Sequence, residues 1–355
     1  MNKYGRLLEK AVAGERLTVA EGVDIYQHCD LVEIGRAADL IRRKIHPDNY
    51  VTFVIDRNIN YTNVCVNRCL FCAFYRGAED REAYVLTKQD LFKKIEETLA
   101  VNGTEVLIQG GLHPELGLEY YIDMLRSVKE RYDIHIHSFS PPEVVHMATT
   151  SGLPVGEVIR RLKSAGLDSL PGGGAEILVD RVRKLVSPRK ISWRQWMDVM
   201  QEAHRQGMRT TATMMFGHVE TVEERIIHMA RVRQAQDETG GFTAFIPWSF
   251  QPGNTRLGGR PATGVDYLKT LALARIMLDN VPNIQASWVT QGAKMAQVAL
   301  TFGANDFGST MLEENVVRAA GVTYRVPMEE IIRVIRDAGF RPAQRTTLYQ
   351  VIRDY

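Results

Sequence analysis

Long apolar runs are missing from this sequence of 355 residues. No stretch approaches the ~20 consecutive apolar residues that a helix needs to cross a bilayer. The first residues, Met-Asn-Lys-Tyr-Gly-Arg, lead into an amphipathic segment and not into the apolar core of a signal peptide. An excess of one charge is missing too, because 44 basic residues stand against 42 acidic ones. This balance of charges does not indicate a surface that binds nucleic acid or membrane. We therefore expect a cytoplasmic protein that acts on a small molecule.

Cysteine is scarce, but three of the four cysteines, Cys65, Cys69 and Cys72, fall in one short stretch. This distribution fits a reducing compartment and argues against a disulfide framework. The spacing C-x3-C-x2-C differs from the paired layout of a zinc ribbon and from the four-thiolate sets of ferredoxins. Three thiolates around a cubane of four irons leave one iron free to bind a small molecule. The alternatives are structural thiols, or a zinc site completed by a distant histidine in a binding barrel without catalysis.

The fourth cysteine, Cys29, lies far from the other three in the sequence. We interpret it as a core thiol, and a fourth cluster ligand is the alternative.

From position 51, short β-branched or aromatic runs alternate with longer amphipathic patterns that are typical of helices. The strand candidates are Thr52–Asn58, Glu105–Gln109, Ile134–Phe139, Asp168–Leu170, Arg209–Met215, Thr243–Phe250, Ile284–Trp288 and Asn305–Ser309. The helix candidates between them are 88–101, 119–132, 142–165 with an interruption, 180–206, 221–239, 265–280 and 291–301. This alternation predicts an α/β fold, a (β/α)8 barrel of the TIM type. A doubly wound sheet is the alternative, but no G-x-G-x-x-G follows the first strand.

The barrel is predicted to occupy residues 51–312, with a segment on each side. Residues 1–50 show helical spacing, and Thr18-Val-Ala-Glu21 matches a capping box, so we expect an N-terminal helical extension. Residues 313–355 include an amphipathic helix at 329–336. We expect this part to form a C-terminal helical tail packed on the barrel.

In a barrel of this type, chemistry takes place on the loops that follow the carboxyl ends of the strands. Gly110 and Gly111 follow the second strand, where bare backbone allows a ligand to approach closely, although a plain tight turn is the alternative. His135 and His137 share one face of the third strand, and we interpret them as neutral, hydrogen-bonded histidines and not as metal ligands. Glu176 follows three glycines and is a candidate acceptor for ribose hydroxyls or an ammonium group.

The fifth and sixth strands also end in polar side chains. His218 and Glu220 follow the fifth strand. The histidine could move a proton near neutral pH, and the alternative is that it caps the next helix or fills a polar gap. Gln251, Asn254 and Thr255 follow the sixth strand, where we expect substrate specificity to be set.

The cysteine spacing, with Phe71 directly before the third cysteine, resembles the signature of radical S-adenosylmethionine (SAM) enzymes. Further segments resemble the dehypoxanthine futalosine cyclases of the futalosine route to menaquinone. These segments start at Asp56, Gln109, Ser169, Thr211 and Gly241 and read DRNINYTN, QGGLHP, SLPGGGAEIL, TATMMFGH and GFTAFIPW. Two related enzymes share many of these motifs and are the alternatives. They are aminofutalosine synthase and a subunit of the deazaflavin (FO) synthase.

The resemblance implies the cofactors, a [4Fe-4S] cluster and SAM, and their ligands. The three clustered cysteines would bind the cluster. The candidate contacts to SAM are Phe71 near the adenine, Gly110 and Gly111 at the amino group, Ser140, and Glu176. Leu112 stands where the family more usually has glutamate in a Gly-Gly-Glu motif. A carboxylate that contacts SAM therefore has to come from another segment, and Glu176 is the candidate.

The resemblance also implies a reaction. A deoxyadenosyl radical removes the C4′ hydrogen of dehypoxanthine futalosine, the carbon radical attacks the benzoate ring, and loss of an electron and a proton gives the cyclic product. We expect His218 or Glu220 to accept that proton, and a flavodoxin or ferredoxin to serve as the one-electron reductant.

Overall fold

Three helices precede the first strand, as the helical spacing predicted. The computed structural model describes residues 3–355. The helices are α1 (Lys3–Val12), α2 (Val19–His28) and α3 (Leu31–Ile45). Capping boxes start α2 at Thr18 and α3 at Asp30, because each cap side chain and the glutamate three residues later satisfy backbone N–H groups at the helix start.

Short parallel strands alternate with helices through the middle of the chain. The strands are β1 (Tyr50–Val54), β2 (Asp56–Ile59), β3 (Glu105–Ile108), β4 (His135–Ser138), β5 (Ser169–Leu170), β6 (Arg209–Phe216), β7 (Phe242–Ser249), β8 (Asn283–Ile284) and β9 (Asp306–Ser309). The helices between them are α4 (Lys88–Ala100), α5 (Leu118–Lys129), α6 (Pro141–Ser151), α7 (Val155–Ser164), α8 (Asp180–Val186), α9 (Trp193–Arg205), α10 (Val222–Thr239), α11 (Gly264–Met277) and α12 (Trp288–Leu300).

The strands close into a ring. Strands β2 to β8 form one parallel sheet in chain order, and β1 pairs in parallel with β9. A bridge between Gln285 and Asp306 joins the end of β8 to β9. Since β1 and β2 are one strand interrupted at Ile55, the ring has eight strands and the predicted (β/α)8 barrel is confirmed.

Two element boundaries differ from the prediction. Residues 180–206 were expected to form one helix, but α8 ends at Val186 and α9 starts at Trp193. Ser192 caps α9 with Gln195 in a capping box, and this separate start breaks the helical run. The strand expected over Ile284–Trp288 is limited to β8, and Trp288 begins α12.

The C-terminal part is only partly helical, so the expectation of a helical tail was incomplete. It contains α13 (Val316–Ala319) and α14 (Met328–Asp337), followed by β10 (Arg341–Arg345) and β11 (Val351–Asp354). Strand β10 pairs in parallel with β1, and β11 pairs antiparallel with β10. Polar residues of β10 are buried through hydrogen bonds, for example from the Gln344 amide to the carbonyl of Asn102 at 3.1 Å. Hydrophobic periodicity therefore gave no signal for this strand.

The flanking segments share a core with the barrel. Ile25 and Ile34 from the N-terminal helices and Ile335 from α14 belong to the same buried cluster as Phe245 of β7. Within residues 3–355, no helix has both the length and the apolar character required of a membrane span.

Candidate active site

The three clustered cysteines lie in the loop after β2, at the carboxyl end of the first barrel strand. Backbone hydrogen bonds hold the loop, from Cys65 N to Arg76 O at 3.1 Å and from Cys72 N to Cys69 O at 3.2 Å. The Arg76 guanidinium donates to the carbonyls of residues 73, 74 and 75 at 3.1, 3.3 and 3.0 Å. The turn that follows the third cysteine is thus fixed by the protein itself.

Burial opposes the ionisation of the clustered thiols, and backbone donors at one of them favour it. Burial raises the pKa of the Cys69 thiol to about 12. Burial also raises the pKa of Cys72, but the N–H groups of Tyr75 and Phe74 donate to its sulfur and oppose the increase. Such donors stabilise a thiolate, and thiolates are the form that binds metal.

The residues of the loop fit an iron–sulfur cluster. Three free thiols lie on one loop, and one of them receives N–H donors from the backbone. Such thiols can serve as the thiolate ligands of a [4Fe-4S] cluster.

The glycine turn after β3 packs directly against the cysteine loop. A Cβ atom on Gly111 would lie 2.2 Å from the carbonyl oxygen of Val64, and one on Gly110 would lie 2.6 Å from the Tyr61 ring. Val66 N donates to Leu112 O at 3.0 Å. The two glycines thus allow close packing within the protein, and the approach of a ligand to them remains a prediction.

A buried carboxylate that we did not predict, Glu143, connects this turn to the end of β4. One of its oxygens accepts from the Tyr61 hydroxyl at 2.8 Å and from Gly110 N at 3.0 Å. The other accepts from Ser140 N at 2.7 Å and from Ser140 Oγ at 2.6 Å. Burial raises the pKa of Glu143, and these four hydrogen bonds oppose that shift. The hydroxyl group of Ser140, a predicted cofactor contact, therefore donates to Glu143. The S-x-x-E pattern at Ser140 is that of a capping box, and it could have predicted this contact from the sequence.

Glu176 lies on the barrel wall and binds two buried cations. Its Oε1 is 2.7 Å from Lys190 Nζ, and its Oε2 is 3.4 Å from Arg183. Lys190 Nζ also lies 5.2 Å from the centroid of the Phe71 ring. Burial alone would lower the pKa of Lys190, but the charges of Glu176 and Cys69 raise it overall. Lys190 thus contacts both Phe71 and Glu176, the two predicted cofactor contacts. We did not predict this role for Lys190, because residues 180–206 were expected to form one helix.

The barrel encloses a cavity of about 290 Å³. Alternate residues of two neighbouring strands line it, Val54, Asp56 and Asn58 on one side and Glu105, Leu107 and Gln109 on the other, as expected for the inward face of a barrel. The apolar wall comes from Ile246, Trp248 and Trp288. Arg345, Thr347 and Tyr349 of the C-terminal segment also line the cavity.

A second cavity, of about 560 Å³, adjoins the first and shares the walls Trp288, Met311, Glu314 and Val317 with it. The segment that follows β9 therefore borders the barrel interior on one side and this space on the other.

The structure does not bring His218 or Glu220 to the wall of the barrel cavity. His218 Nε2 bonds to Met215 O at 3.0 Å, and Nδ1 accepts from Val219 N at 2.8 Å. Glu220 accepts from the N–H groups of Gly217 and His218 at 2.6 and 2.9 Å and from Arg225 at 2.8 Å. Burial lowers the pKa of His218. Both side chains hold the turn after β6, so their catalytic role remains a prediction without a contact to the cavity.

The predicted specificity residues are also outside the wall of this cavity. Gln251 donates to Ser249 Oγ at 3.0 Å, and Thr255 donates to Pro252 O at 2.8 Å. Asn254 donates to Ala319 O at 3.0 Å, which ties the loop after β7 to α13. Their side chains are used within the protein, and a role in binding substrate remains a prediction.

Two histidines and one cysteine outside the cluster loop have the environments that we predicted. His135 and His137 both bond to Ser169 Oγ, at 2.7 and 2.6 Å. Burial lowers the pKa of both, that of His137 to about 3, so both are neutral near pH 7. Cys29 is buried in the large apolar cluster, which confirms it as a core thiol.

A three-thiolate loop after the first strand of a closed parallel barrel, packed against a glycine turn, defines a radical SAM enzyme. The Radical SAM superfamily matches residues 59–232, and the CofH/MqnC C-terminal region matches residues 239–354. The chain belongs to the CofH/MqnC family of radical SAM enzymes, which use a [4Fe-4S] cluster and SAM.

Two relatives support this assignment, and one solved structure shares the fold. The chain is 52% identical over 351 residues to the cyclic dehypoxanthine futalosine synthase of Halalkalibacterium halodurans, which covers 98% of this chain and 95% of that protein. It is 45% identical over 359 residues to a 5-amino-6-(D-ribitylamino)uracil–L-tyrosine 4-hydroxyphenyl transferase of Methanopyrus kandleri, covering 98% of this chain and 97% of that protein. The crystal structure of methylornithine synthase has the same fold, with a TM-score of 0.73 at 20% identity, covering 95% of this chain and 97% of the other. The predicted resemblance to the cyclases is confirmed.

Proposed function

We propose that this protein cyclises dehypoxanthine futalosine to cyclic dehypoxanthine futalosine, a step toward menaquinone. The observation that carries the proposal is the 52% identity, over 98% of the chain, to a protein named for this reaction. The substrate loses one hydrogen atom from C4′ of its ribose, forms a bond from that carbon to the benzoate ring, and then loses the ring proton and one electron, which the bound cluster would accept.

Cys65, Cys69 and Cys72 hold the cluster in this proposal, and Phe71, Gly110, Gly111, Ser140 and Glu176 surround SAM. Once bound, the cluster and SAM supply the 5′-deoxyadenosyl radical that removes the C4′ hydrogen. The Lys190–Glu176 pair fixes the wall between the cysteine loop and the barrel interior, since it contacts both the Phe71 ring and the cavity.

The barrel interior suits a reaction that must avoid water. Leu107, Ile246, Trp248 and Trp288 give the cavity a largely apolar wall. A carbon radical held there meets the benzoate ring before it meets solvent, and the closed barrel keeps the two reacting parts of the substrate together.

The decisive experiment uses anaerobically reconstituted protein with SAM, dithionite and dehypoxanthine futalosine. We expect 5′-deoxyadenosine and a product lighter than the substrate by two hydrogens. Iron and sulfide in the ratio of a [4Fe-4S] cluster should accompany activity. Zinc at one ion per chain, or deoxyadenosine without any cyclised product, would contradict the proposal.

A second candidate activity follows from the other relative. The identity of 45% to a 5-amino-6-(D-ribitylamino)uracil–L-tyrosine 4-hydroxyphenyl transferase favours that reaction next. Aminofutalosine synthesis is the further alternative. Supplying the ribityl compound with tyrosine in the same assay separates the two, since only the transferase joins these molecules.

We further propose that an acidic one-electron donor such as flavodoxin or ferredoxin docks beside the cysteine loop. Arg68 in the loop, Arg189 and Arg256 are exposed there. Arg189 contacts Val66 O at 3.4 Å, and Arg256 contacts the Tyr75 hydroxyl at 3.4 Å. Reduction by flavodoxin should therefore slow steeply with added salt, whereas reduction by dithionite should change little.

A further inference from the structure

The second cavity, of about 560 Å³, contains side chains whose contacts the protein itself does not complete. Thr310 lines this cavity and is only 8% exposed, yet its hydroxyl has no hydrogen-bond partner among residues 3–355. Two large apolar side chains of the same cavity are exposed, Leu312 by 41% and Tyr324 by 54%. A buried hydroxyl without a partner beside exposed apolar side chains is typical of a site that takes a ligand.

The second cavity also carries two arginines without an ionic partner. Its charged lining residues within 3–355 are Glu313, Glu314, Arg318 and Arg325. Glu313 lies 2.6 Å from Lys94, and Glu314 accepts hydrogen bonds of 2.9 to 3.0 Å from backbone N–H groups of α13. Both acids are therefore satisfied, whereas the side chains of Arg318 and Arg325 are exposed and pair with no carboxylate in the described part of the chain.

The barrel cavity offers no comparable cation. Arg345 is the one cation among its lining residues within 3–355, and two hydrogen bonds of 2.6 and 3.0 Å commit it to Asp306. The same wall carries the carboxyl groups of Asp56, Glu105 and Glu176. Of the two cavities, the second therefore suits the carboxylate of a ligand, because the guanidinium group of a free arginine donates two hydrogen bonds that match a carboxylate.

The two cavities meet at an apolar boundary. They share four apolar side chains, Trp288, Val289, Met311 and Val317. An aromatic ring can pack against this boundary, because aromatic and aliphatic side chains are the usual wall of a ligand pocket. On its other side, the barrel cavity reaches Glu176, whose partner Lys190 contacts the ring of Phe71 in the cysteine loop.

We propose that Arg318 and Arg325 bind the carboxylate of the substrate's benzoate group, and that the benzoate ring lies against Trp288 at the boundary of the two cavities. The sugar then occupies the barrel cavity on the side of Glu176, so that C4′ faces the cysteine loop and the ring stays within reach of that carbon. Thr310 can donate its hydroxyl hydrogen to an acceptor of the same ligand. The nature of this ligand rests on the proposed function.

Calorimetry of the reconstituted protein tests the two arginines. The protein is titrated with dehypoxanthine futalosine in the presence of SAM and without reductant, so that binding is measured without turnover. Arg318→Gln combined with Arg325→Gln should weaken binding about tenfold or more, the loss expected for charge-assisted hydrogen bonds to a carboxylate. Arg336→Gln is the matched control and should bind as the wild type does, because Arg336 is an exposed arginine of α14 that lines neither cavity.

Replacing the carboxylate of the substrate by a carboxamide identifies the contact. The wild type should bind this neutral analogue about tenfold more weakly than the substrate, whereas the double arginine variant should bind the two about equally. Added salt should weaken the binding of the substrate to the wild type more than to the double variant. Damage to the fold could not remove the preference for the acid while the amide still binds.

Benzoate and benzamide test the site without the sugar. In ligand-detected NMR, the wild type should bind benzoate in preference to benzamide, and the double variant should lose that preference. This result together with no binding of dehypoxanthine futalosine would contradict the proposed function and still support the carboxylate site. Equal binding of the substrate by the wild type and the double variant, or no preference for acid over amide in the wild type, would overturn the inference alone. Wild-type protein that binds neither benzoate nor the substrate would contradict both.

Discussion

Lys190 shows how one residue can determine the local electrostatics of the site. Its ammonium group is 2.7 Å from Glu176, and the pair is nearly fully buried, with side-chain exposures of 11% and 5%. Lys190→Met would leave Glu176 with Arg183 alone, at 3.4 Å. We expect a loss of about 3 kcal/mol in the free energy of unfolding, near the lower bound for breaking a buried pair, because Arg183 remains.

A double replacement tests the carboxylate that Lys190 shares with Arg183. Lys190→Met with Glu176→Leu removes the carboxylate as well and leaves the buried Arg183 without an anionic partner, so it should be less stable than Lys190→Met alone, as measured by urea unfolding. The exposed Lys184→Met is the matched control and should change the stability by less than about 0.5 kcal/mol. Equal losses in the single and the double variant would contradict the role of the ion pair.

The environment of His218 predicts a structural effect for its replacement. The ring bonds to Met215 O and Val219 N, and its side chain is fully buried. His218→Ala should lower the melting temperature because the cavity and the lost hydrogen bonds cost about 2–4 kcal/mol. The ratio of cyclised product to 5′-deoxyadenosine should stay as in the wild type. A folded variant that forms deoxyadenosine but little product would instead support His218 as the base.

At the scale of elements, the sequence predicted the barrel strands well and the polar contacts poorly. Strands β6 and β7 have 8 residues each and are rich in β-branched and aromatic side chains, which made them easy to recognise as strands. Lys190 acts through an ion pair between separate elements, which no local pattern encodes, whereas the capping box of Glu143 with Ser140 was a local signal. Strand β10 was missed because two of its buried residues, Gln344 and Arg345, are polar.

The packing of the glycine turn on the cysteine loop gives a prediction about these two elements. In Gly111→Ala, the new Cβ would lie 2.2 Å from Val64 O and 2.9 Å from Cys65 Cβ. Backbone cannot rotate away as a side chain can, so the cysteine loop must move, at a cost of about 1–3 kcal/mol. We expect a clear loss of iron and sulfide per chain after anaerobic reconstitution.

Gly117→Ala is the matched control for this change. Nothing lies within 4 Å of the Cβ position at Gly117, which caps α5 without a side-chain hydrogen bond. This variant should retain the iron, the sulfide and the visible absorbance of the wild type. Equal cluster content in Gly111→Ala and the wild type would show that the turn does not position the cysteines.

At the scale of the whole molecule, the N-terminal helices and the C-terminal segment are parts of the barrel protein and not appendages. The N-terminal helices bury Ile25 and Ile34 in the barrel's apolar cluster. The C-terminal segment places Arg345, Thr347 and Tyr349 on the cavity wall. Sequence periodicity predicted these flanking segments. It could not predict that the C-terminal segment lines the cavity, because that position depends on the parallel pairing of β10 with β1, which are far apart in the chain.

Buried histidines distributed over the barrel predict how the stability of the whole protein depends on pH. Burial lowers the pKa of His137 and His228 to about 3 and that of His204 to about 4, from an ordinary value of 6.5. The folded state therefore keeps them neutral, while the unfolded chain takes up protons below pH 6.5. Their contribution to stability is complete above pH 6.5 and is lost as the pH falls toward their folded pKa values.

The size of this effect can be measured by urea unfolding of the reconstituted protein. One pH unit below 6.5, each of these histidines should cost about 1.4 kcal/mol of unfolding free energy. His204 bonds to Thr239 and Thr210 through its two ring nitrogens, and glutamine can replace such bonds. Between pH 7.5 and 5.5, the unfolding free energy of His204→Gln should therefore fall by about 1.4 kcal/mol less than that of the wild type, which is the contribution of one histidine. A variant with the same slope as the wild type would show that His204 is already charged in the fold, because only a histidine that stays neutral there makes unfolding take up its proton.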